Sequence, residues 1–223
     1  MFIESVSWIG IAASLIGGYV IGSVPVAYVA GRVRGTDIFQ VGSGQAGATN
    51  VWREVSRPLG WSVFWLDAIK GLAAIYLGRL LGLEANWLLF PAFAVIAGHW
   101  KSVFTGFRGG DGVSTFAGVA VGLLGLSMVI PGAVILLIAV VFNSRFRHPS
   151  LWGAVVGYAV FLFVARTETF GQDNVMILGI TLLMLAILLH SIAYSRKAKA
   201  RRREILLAEN TEIVTEKSSP WNA

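Results

Sequence analysis

Apolar runs are the feature that most constrains what this chain can fold into. Runs that lie in lipid must form helices, because the backbone finds no water to bond within about 30 Å of hydrocarbon. The composition agrees, since 56% of the 223 residues are hydrophobic and only 13% are charged. We therefore expect an all-α integral membrane protein with about seven transmembrane helices. The predicted spans are Val6–Val29, Trp61–Leu81, Asn86–His99, Val113–Leu123, Leu126–Phe142, Leu151–Val164 and Val175–Tyr194.

The positions of the basic residues predict the orientation of these spans. Seven spans put the termini on opposite sides of the membrane, and one side then carries 15 of the 18 lysines and arginines. The other side carries two, Arg79 and Arg166. Cytoplasmic loops are enriched in Lys and Arg, so we expect the N-terminus outside and the C-terminus in the cytoplasm. The net charge of +6 follows from this topology and from contact with the lipid bilayer, and we expect no nucleic-acid partner.

The end of the chain differs in composition from the rest. Six basic residues lie within Arg196–Arg203, and the residues after them are mixed in charge, without an apolar run long enough for another span. We therefore expect two parts. Residues 1–194 form the transmembrane domain, and residues 195–223 form a basic and then mixed-charge cytoplasmic tail.

Two glycine-rich segments interrupt the apolar pattern, and the predicted topology puts both on the cytoplasmic face. The first segment is GSGQAGATN, residues 42–50, and the second is GHWKSVFTGFRGGDGVST, residues 98–115. Glycines let backbone N–H groups turn toward a ligand, and a following helix adds its positive N-terminal end. Both segments are therefore suited to bind an anion. Close packing of helices is the alternative explanation for the glycines.

Side chains within these segments would complete a phosphate site. Arg53 and Arg108 can each form paired hydrogen bonds with phosphate oxygens. The other candidate residues contribute backbone N–H groups or short polar side chains. They are Gly42, Ser43, Gly44, Thr49, Asn50, Gly109, Gly110, Gly112 and Thr115.

Ionisable residues near the spans offer further candidates. Asp67 and Lys70 lie three positions apart, hence on one helix face, and charge inside a bilayer normally faces a partner or a polar cavity. They either neutralise each other and brace the site, or Lys70 adds a positive field toward an anion. His99 and His190 each close a predicted span and are candidates for a general base or a hydrogen-bond donor to an anion. No metal-ligand spacing occurs, so we expect no metal site.

Two long stretches carry a family resemblance. The sequence resembles the acyl-phosphate-dependent glycerol-3-phosphate acyltransferases of bacteria, the PlsY type. The resemblance is carried by GSVPVAYVAGRVRGTDIFQVGSGQAGATNVWREV, by DAIKG and by the second glycine-rich segment, in that order. The similarity runs from Gly22 to about Thr115. It implies an inner-membrane enzyme of phospholipid biosynthesis with its active site facing the cytoplasm. Such an enzyme transfers an acyl group from acyl phosphate to the 1-hydroxyl of glycerol 3-phosphate, forming lysophosphatidic acid without a cofactor.

The resemblance also implies which residues carry the chemistry. Direct transfer needs a proton acceptor, which would be His190 or a phosphate of the substrate. The catalytic residues implied are Ser43, Arg53 and His190. The substrate and phosphate contacts implied are Ser43, Thr49, Asn50, Arg53, His99, Arg108, Gly109, Gly110, Gly112, Thr115 and Arg196.

Several positions depart from the family pattern. Gln45 and Ala193 stand where the family has asparagines, and Arg108 and Asp111 stand where it has lysines. Tyr194 stands where it has isoleucine, and the Gly-Thr-Glu that ends its third motif is not recognisable in KAKARRRE. Asp111 would bring a carboxylate into the phosphate cradle and oppose the charge of the ligand. One alternative is therefore a catalytically weakened relative that binds phosphorylated lipid precursors without turnover. Another is a small transporter for a phosphorylated solute, which would need a polar path through the bilayer.

Overall fold

The computed structural model describes residues 7–125, 156, 158–159 and 174–217, and the regular structure of these residues is helical. This confirms the all-α prediction for the described part of the chain. The α-helices are α1 (Trp8–Ser23), α2 (Val26–Val33), α3 (Ala48–Glu54), α4 (Arg57–Leu80), α5 (Leu89–Trp100), α6 (Val113–Leu124) and α7 (Asn174–Lys217). Short 3-10 helices cover Ala85–Leu88 and Val103–Thr105.

Three stretches of the described residues are long and apolar enough to cross a membrane. They are Trp8–Val33, Ala85–Thr105 and Val175–Tyr194. The 24-residue α4 covers the predicted second span but carries charged residues and is not among the three, and α6 is a shorter apolar helix. The predicted span Leu126–Phe142, and nearly all of Leu151–Val164, lie outside the described residues. Seven spans and their orientation therefore stay predictions.

The first predicted span consists of two helices rather than one. Proline has no N–H and disfavours helical backbone in the residue before it. Val24, which precedes Pro25, adopts φ −55° and ψ 116°, outside the helical region. The prediction of one continuous helix over Val6–Val29 is therefore wrong at this point. The break at Val24–Pro25 brings backbone carbonyls to the site described below.

Small residues let neighbouring helices pack closely. Helix α1 packs against α5, and α4 packs against α6. A Cβ on Gly98 of α5 would meet the backbone carbonyl of Tyr19 in α1, and a Cβ on Gly118 of α6 would meet that of Ala68 in α4. Such small-residue contacts are common between membrane helices. Close packing therefore explains the glycines inside the helices.

We expect Gly118→Val to destabilise the protein, because the added atoms collide with backbone that cannot rotate away. Overpacking of this kind costs about 1–3 kcal/mol or more. Thermal unfolding of the purified protein in detergent should show a Tm several degrees lower. Gly47→Ala is a suitable control, since φ there is −138° and an added Cβ would meet nothing within 4 Å. Equal Tm values for the two variants would contradict a close-packed contact between α4 and α6.

Two hydrophobic clusters support the polar segments. The larger cluster includes Ile75 of α4, Val95 of α5 and Val119 of α6, which are almost fully buried. The smaller cluster lies beneath the first glycine-rich segment and contains Ala27, Ile38, Phe39, Ala46, Val51 and Val63. Ile38 and Val51 have no exposed surface. The first glycine-rich segment therefore packs on a buried hydrophobic cluster.

The chain divides into two compact units. Residues up to Leu188 form the first, and residues from Leu189 onward form the second. All of the pocket residues considered below belong to the first unit. The boundary predicted after residue 194 stays a prediction.

Candidate functional site

Asn50 determines the shape of the first glycine-rich segment. Its side-chain nitrogen donates to three backbone carbonyls, those of Ile38 (3.1 Å), Val41 (3.2 Å) and Gln45 (2.9 Å). Its side-chain oxygen accepts a hydrogen bond from the backbone N–H of Ser43 (3.1 Å). Asn50 is buried, and its amide group is engaged with the backbone of its own segment. The residue therefore holds the loop in shape, and its predicted contact with a ligand stays a prediction.

The other predicted residues of this segment lie at or near its surface. Gly42, Ser43, Thr49 and Arg53 are exposed, and Gly44 is half-buried. Gly42 adopts φ +55°, a value that favours glycine, and the Asn50 side chain fills the space where a Cβ would lie. The Ser43 hydroxyl accepts a hydrogen bond from the backbone N–H of Gln45 (3.4 Å). These residues are thus accessible from solvent.

The second glycine-rich segment folds back on the end of α5 and joins the first. The N–H of Gly110 donates to the carbonyl of His99 (3.2 Å), and the N–H of Ala46 donates to the carbonyl of Gly109 (3.1 Å). A Cβ on Gly109 would collide with the His99 carbonyl, so glycine is required for this approach. The two glycine-rich segments are therefore in direct contact.

Arg108 forms a second link between the segments. The carbon of its guanidinium group lies 3.9 Å from the centroid of the Phe39 ring, a cation–π contact. Phe39 is buried in the smaller hydrophobic cluster, while Arg108 is exposed. The Thr105 hydroxyl donates to the Arg108 carbonyl. The ring and the hydroxyl therefore hold this arginine in place at the junction.

Asp111 occupies the N-terminal end of α6. Its Oδ1 accepts a hydrogen bond from the N–H of Val113 (3.1 Å), and its carbonyl accepts one from Nε1 of Trp100 (2.8 Å). Gly112, which makes the turn, adopts φ +89°. Burial raises the pKa of the Asp111 carboxyl, and the Val113 N–H and His99 oppose this effect. The helix end at which the sequence predicts an anion cradle thus holds a carboxylate of the protein itself.

Asp67 and Lys70 form a buried ion pair. Nζ of Lys70 lies 2.8 Å from Oδ1 of Asp67. It also donates to the carbonyls of Gly22 (3.3 Å) and Val24 (2.8 Å), at the break between α1 and α2. The predicted pairing is confirmed. The three N–H donors of Lys70 thus have three acceptors, and the ion pair joins α4 to the break.

His99 extends this ion pair toward the second glycine-rich segment. Its Nδ1 lies 3.2 Å from Oγ1 of Thr115 and 3.9 Å from Oδ1 of Asp67. Its Nε2 lies beside Gly110, so closely that a Cβ on that glycine would come within 2.5 Å of it. The imidazole ring therefore stands between the ion pair and the glycines. Thr115 is fully buried and orients the ring.

These groups line a narrow pocket with about 10 Å³ of closed space, room for about one water molecule. Its lining is rich in polar groups, so the pocket suits a polar group of a ligand, such as a hydroxyl. Of the predicted site residues, the pocket brings together His99, Arg108, Gly109 and Gly110. Ala46 is the lining residue from the first glycine-rich segment. The predicted residues that do not line it are Gly42, Ser43, Gly44, Thr49, Asn50, Arg53, Gly112 and Thr115.

The pocket lining also includes residues that the sequence does not mark as ligand contacts. They are the residues of the α1–α2 break, Gly22–Ala27, together with Ser102 and Thr105. Pro25, inside an otherwise apolar run, is the signal in the sequence for the break. Asp67 and Lys70 also line the pocket.

His190 and Arg196 belong to the second compact unit. The ring of His190 lies 6.3 Å from that of Tyr194, measured between centroids, and Arg196 is exposed. The roles predicted for both residues stay predictions. Within the described ranges, no group of three or more His, Asp or Glu side chains is arranged to hold a metal ion.

The sequence is similar to known acyltransferases. It matches the glycerol-3-phosphate acyltransferase family over residues 12–200. The glycerol-3-phosphate acyltransferase of Geobacter sulfurreducens is 36% identical over 171 residues, which cover 77% of this chain and 84% of the relative. Glycerol-3-phosphate acyltransferase 1 of Deinococcus radiodurans is 39% identical over 157 residues, which cover 69% and 77%.

The fold is also similar to that of a solved membrane enzyme. This chain is similar to the crystal structure of PlsY (YgiH), an integral membrane glycerol 3-phosphate acyltransferase, in its glycerol 3-phosphate form. The two have a TM-score of 0.60 and 28% sequence identity, and the match covers 91% of this chain and 92% of that one. Its lysophosphatidic acid form has a TM-score of 0.58 and 26% identity over the same shares. The sequence match covers most of the chain, and the chain therefore belongs to the glycerol-3-phosphate acyltransferase family of integral membrane proteins.

Proposed function

We propose that this chain transfers an acyl group from acyl phosphate to the 1-hydroxyl of sn-glycerol 3-phosphate, with lysophosphatidic acid and inorganic phosphate as products. Family membership supports an acyltransferase, and the related PlsY was solved in a glycerol 3-phosphate form and a lysophosphatidic acid form. The observation on this chain that carries the proposal is the junction of the two glycine-rich segments. There Arg108, Gly109 and Gly110 line a narrow pocket that is rich in polar groups.

The proposed reaction requires little covalent chemistry from the protein. Acyl phosphate is a mixed anhydride with a good leaving group. The hydroxyl oxygen bonds to the acyl carbon, the bond from that carbon to the phosphate oxygen breaks, and phosphate leaves with the electron pair. The hydroxyl proton passes to His190 or to a substrate phosphate. The protein aligns the hydroxyl, balances the charge of two phosphates and stabilises the oxyanion.

The proposed roles follow from residue type and position. Arg108 and Arg53 balance phosphate charge, and backbone N–H groups of the glycine-rich segments stabilise the oxyanion. Ser43 and Arg53, both exposed on the first segment, are accessible to a substrate and are proposed to act in catalysis. The catalytic role proposed for His190 rests on the family resemblance alone. Thr49, Asn50, Gly112, Thr115 and Arg196 are proposed contacts on the strength of the family resemblance alone.

We further propose seven spans with the N-terminus outside and both glycine-rich segments in the cytoplasm, where glycerol 3-phosphate is available. The charge distribution of the sequence supports this orientation. A reporter that is active only in the cytoplasm should be active when fused after Tyr194. The same reporter inserted next to Glu84, in the short connection after α4, should be inactive. The opposite pattern would contradict the orientation.

Acyl transfer by the purified protein tests the proposed reaction. Radiolabelled glycerol 3-phosphate is incubated with acyl phosphate, and separately with acyl-CoA of the same chain length, and the labelled lipid is measured. We expect lysophosphatidic acid with acyl phosphate and background with acyl-CoA. Equal product from both donors would contradict the proposed donor, and no product from either would contradict the proposed reaction.

Asp111 supports a second candidate function, that of a relative which binds phosphorylated lipid precursors without turning them over. Its carboxylate already occupies the N-terminal end of α6, where a phosphate could otherwise bind. Calorimetry with glycerol 3-phosphate separates the two functions when it is combined with the transfer assay. Binding without any transfer would favour the second candidate.

A further inference from the structure

The carboxylate of Asp67 is buried and lines the pocket. It repels a phosphate and can accept a hydrogen bond from a hydroxyl. We propose that Asp67 accepts a hydrogen bond from the reacting hydroxyl of the acyl acceptor. The substrate then enters with this hydroxyl first and keeps its phosphate toward Arg108. This inference rests on the proposed function and adds to it a specificity-determining residue and an orientation for the substrate.

The carboxylate of Asp67 is incompletely satisfied. The residue is 1% exposed and lines the pocket. Oδ1 forms an ion pair with Lys70, yet both Oδ1 and Oδ2 are buried without a hydrogen bond of good geometry within the described part of the chain. A carboxylate has about four positions at which it can accept hydrogen bonds, and buried acceptors are almost always satisfied. A donor therefore belongs at Oδ2.

The neighbouring side chains do not supply this donor. The three N–H groups of Lys70 are directed to Oδ1 of Asp67 and to the carbonyls of Gly22 and Val24. Nδ1 of His99 is 3.9 Å from Oδ1 of Asp67, which is too long for a hydrogen bond. Ser102 and Thr105 line the pocket and donate their hydroxyl hydrogens to backbone carbonyls. The Ser23 hydroxyl lies 3.5 Å from the carbonyl of Gly98, toward which it is directed. None of these described side chains donates to Oδ2, and we assign the donor to a ligand in the pocket.

The arrangement of the pocket sets the direction of the ligand. Asp67 is buried, whereas Arg108 is exposed and held over the Phe39 ring. The His99 ring separates the two regions, with Nδ1 on the side of Asp67 and Nε2 beside Gly110. A phosphate is repelled by the carboxylate and attracted by the guanidinium. A molecule with a phosphate at one end and a hydroxyl at the other therefore binds with its hydroxyl at Asp67.

Two ligands that differ in one hydroxyl test this contact. Glycerol 3-phosphate carries the reacting hydroxyl, and 2-hydroxypropyl phosphate lacks it. We expect calorimetry on the wild-type protein to give a Kd that is roughly 10- to 150-fold lower for glycerol 3-phosphate, because a hydrogen bond to a charged acceptor is lost with the hydroxyl. Equal Kd values for the two ligands would overturn the proposal without any variant being made.

Variants then assign the hydroxyl preference to Asp67. Removal of Asp67 alone leaves Lys70 buried without its counter-ion, so the variant of choice is the double substitution Asp67→Ala with Lys70→Met, which removes both charges. We expect it to bind the two ligands within about threefold of each other. The single variant Lys70→Met retains the carboxylate and should retain a preference. Asp37→Asn, a control at a surface carboxylate 3.6 Å from Arg32, should show the full wild-type preference.

The outcomes separate this contact from a purely structural role. If the double variant folds and keeps the wild-type preference for glycerol 3-phosphate, Asp67 only neutralises Lys70 and the proposal is wrong. If the double variant does not fold, Asp67→Leu combined with Lys70→Met, which fills the space of the carboxylate with an apolar side chain, decides in the same way. Absence of glycerol 3-phosphate binding by the wild type overturns the proposed function as well. Binding and transfer without any hydroxyl preference overturn this inference alone.

Discussion

Replacing Arg108 by alanine is expected to weaken binding of glycerol 3-phosphate by roughly 10- to 150-fold, the loss of about 1.5–3 kcal/mol for a hydrogen bond to a charged group. Arg108 is the arginine that lines the pocket, and its guanidinium is held over the Phe39 ring before a ligand arrives. A side chain that is already ordered loses little conformational entropy on binding. Calorimetry in detergent measures the change in Kd.

Three further variants show whether a loss of affinity in Arg108→Ala comes from its place in the pocket or from the loss of one positive charge. Arg57 also stacks on an aromatic ring, that of Trp52 at 5.6 Å, but it does not line the pocket, so Arg57→Ala should leave the Kd unchanged. Arg108→Lys keeps the charge but loses the paired geometry, and it should lie between wild type and Arg108→Ala. Arg53→Ala should have a smaller effect than Arg108→Ala, because Arg53 lies outside the lining. Equal losses in Arg108→Ala and Arg57→Ala would show that net charge, and not the pocket, determines binding.

Replacing Asp111 by lysine is expected to tighten binding of glycerol 3-phosphate or acyl phosphate by about 1–3 kcal/mol. The change removes a negative charge from the N-terminal end of α6 and adds a positive one. It also frees the N–H of Val113, which the carboxylate now occupies. Calorimetry measures the affinity, and the transfer assay measures turnover in the same preparation.

Asp111→Asn separates the contributions of charge and shape. It keeps an oxygen that can accept from the Val113 N–H but removes the charge, and it should give a smaller gain than lysine. An unchanged Kd in both variants, with the fold intact, would mean that no phosphate binds near α6. A gain of turnover in Asp111→Lys from an inert wild type would identify this position as the one at which activity was lost.

The pH dependence of binding gives an independent test of Asp111. Burial raises the pKa of this carboxyl, so it takes up a proton at a higher pH than an exposed aspartate does. As the pH falls through this pKa, the carboxylate loses its charge and no longer opposes the phosphate. The affinity advantage of Asp111→Asn should therefore be largest at high pH and shrink toward acid. The ratio of the two Kd values isolates this effect, because titration of the phosphate is common to both proteins.

Local patterns were sufficient to predict part of this structure. The three-residue spacing of Asp67 and Lys70 predicts their pairing, because such residues share a helix face whatever the rest of the chain does. The predicted topology puts both glycine-rich segments on one face, where they can meet, and the structure shows the two segments in contact. Helix α6, which begins after Gly112, matches its predicted span within one residue.

The features that could not be predicted from the sequence depend on contacts between residues far apart in the chain. Asn50 looks like a ligand contact in the sequence, and only the folded loop shows that three carbonyls surround its amide nitrogen. The carbonyl acceptors of Lys70 lie 46 and 48 residues away, at a helix break. Pro25 indicates that break, but the apolar residues on both sides of it predict one continuous span. The function of a polar residue in a pocket therefore depends on partners that a local pattern does not contain.

We propose that the pocket between the two glycine-rich segments holds the acyl acceptor. A crystal structure of the wild-type chain with glycerol 3-phosphate tests this placement directly. We expect the phosphate to lie within hydrogen-bond distance of the Arg108 guanidinium, beside Gly109, and the far hydroxyl to lie within hydrogen-bond distance of Asp67 Oδ2. A phosphate bound outside this pocket, or bound within it at the Asp67 end, would contradict this placement of the acyl acceptor.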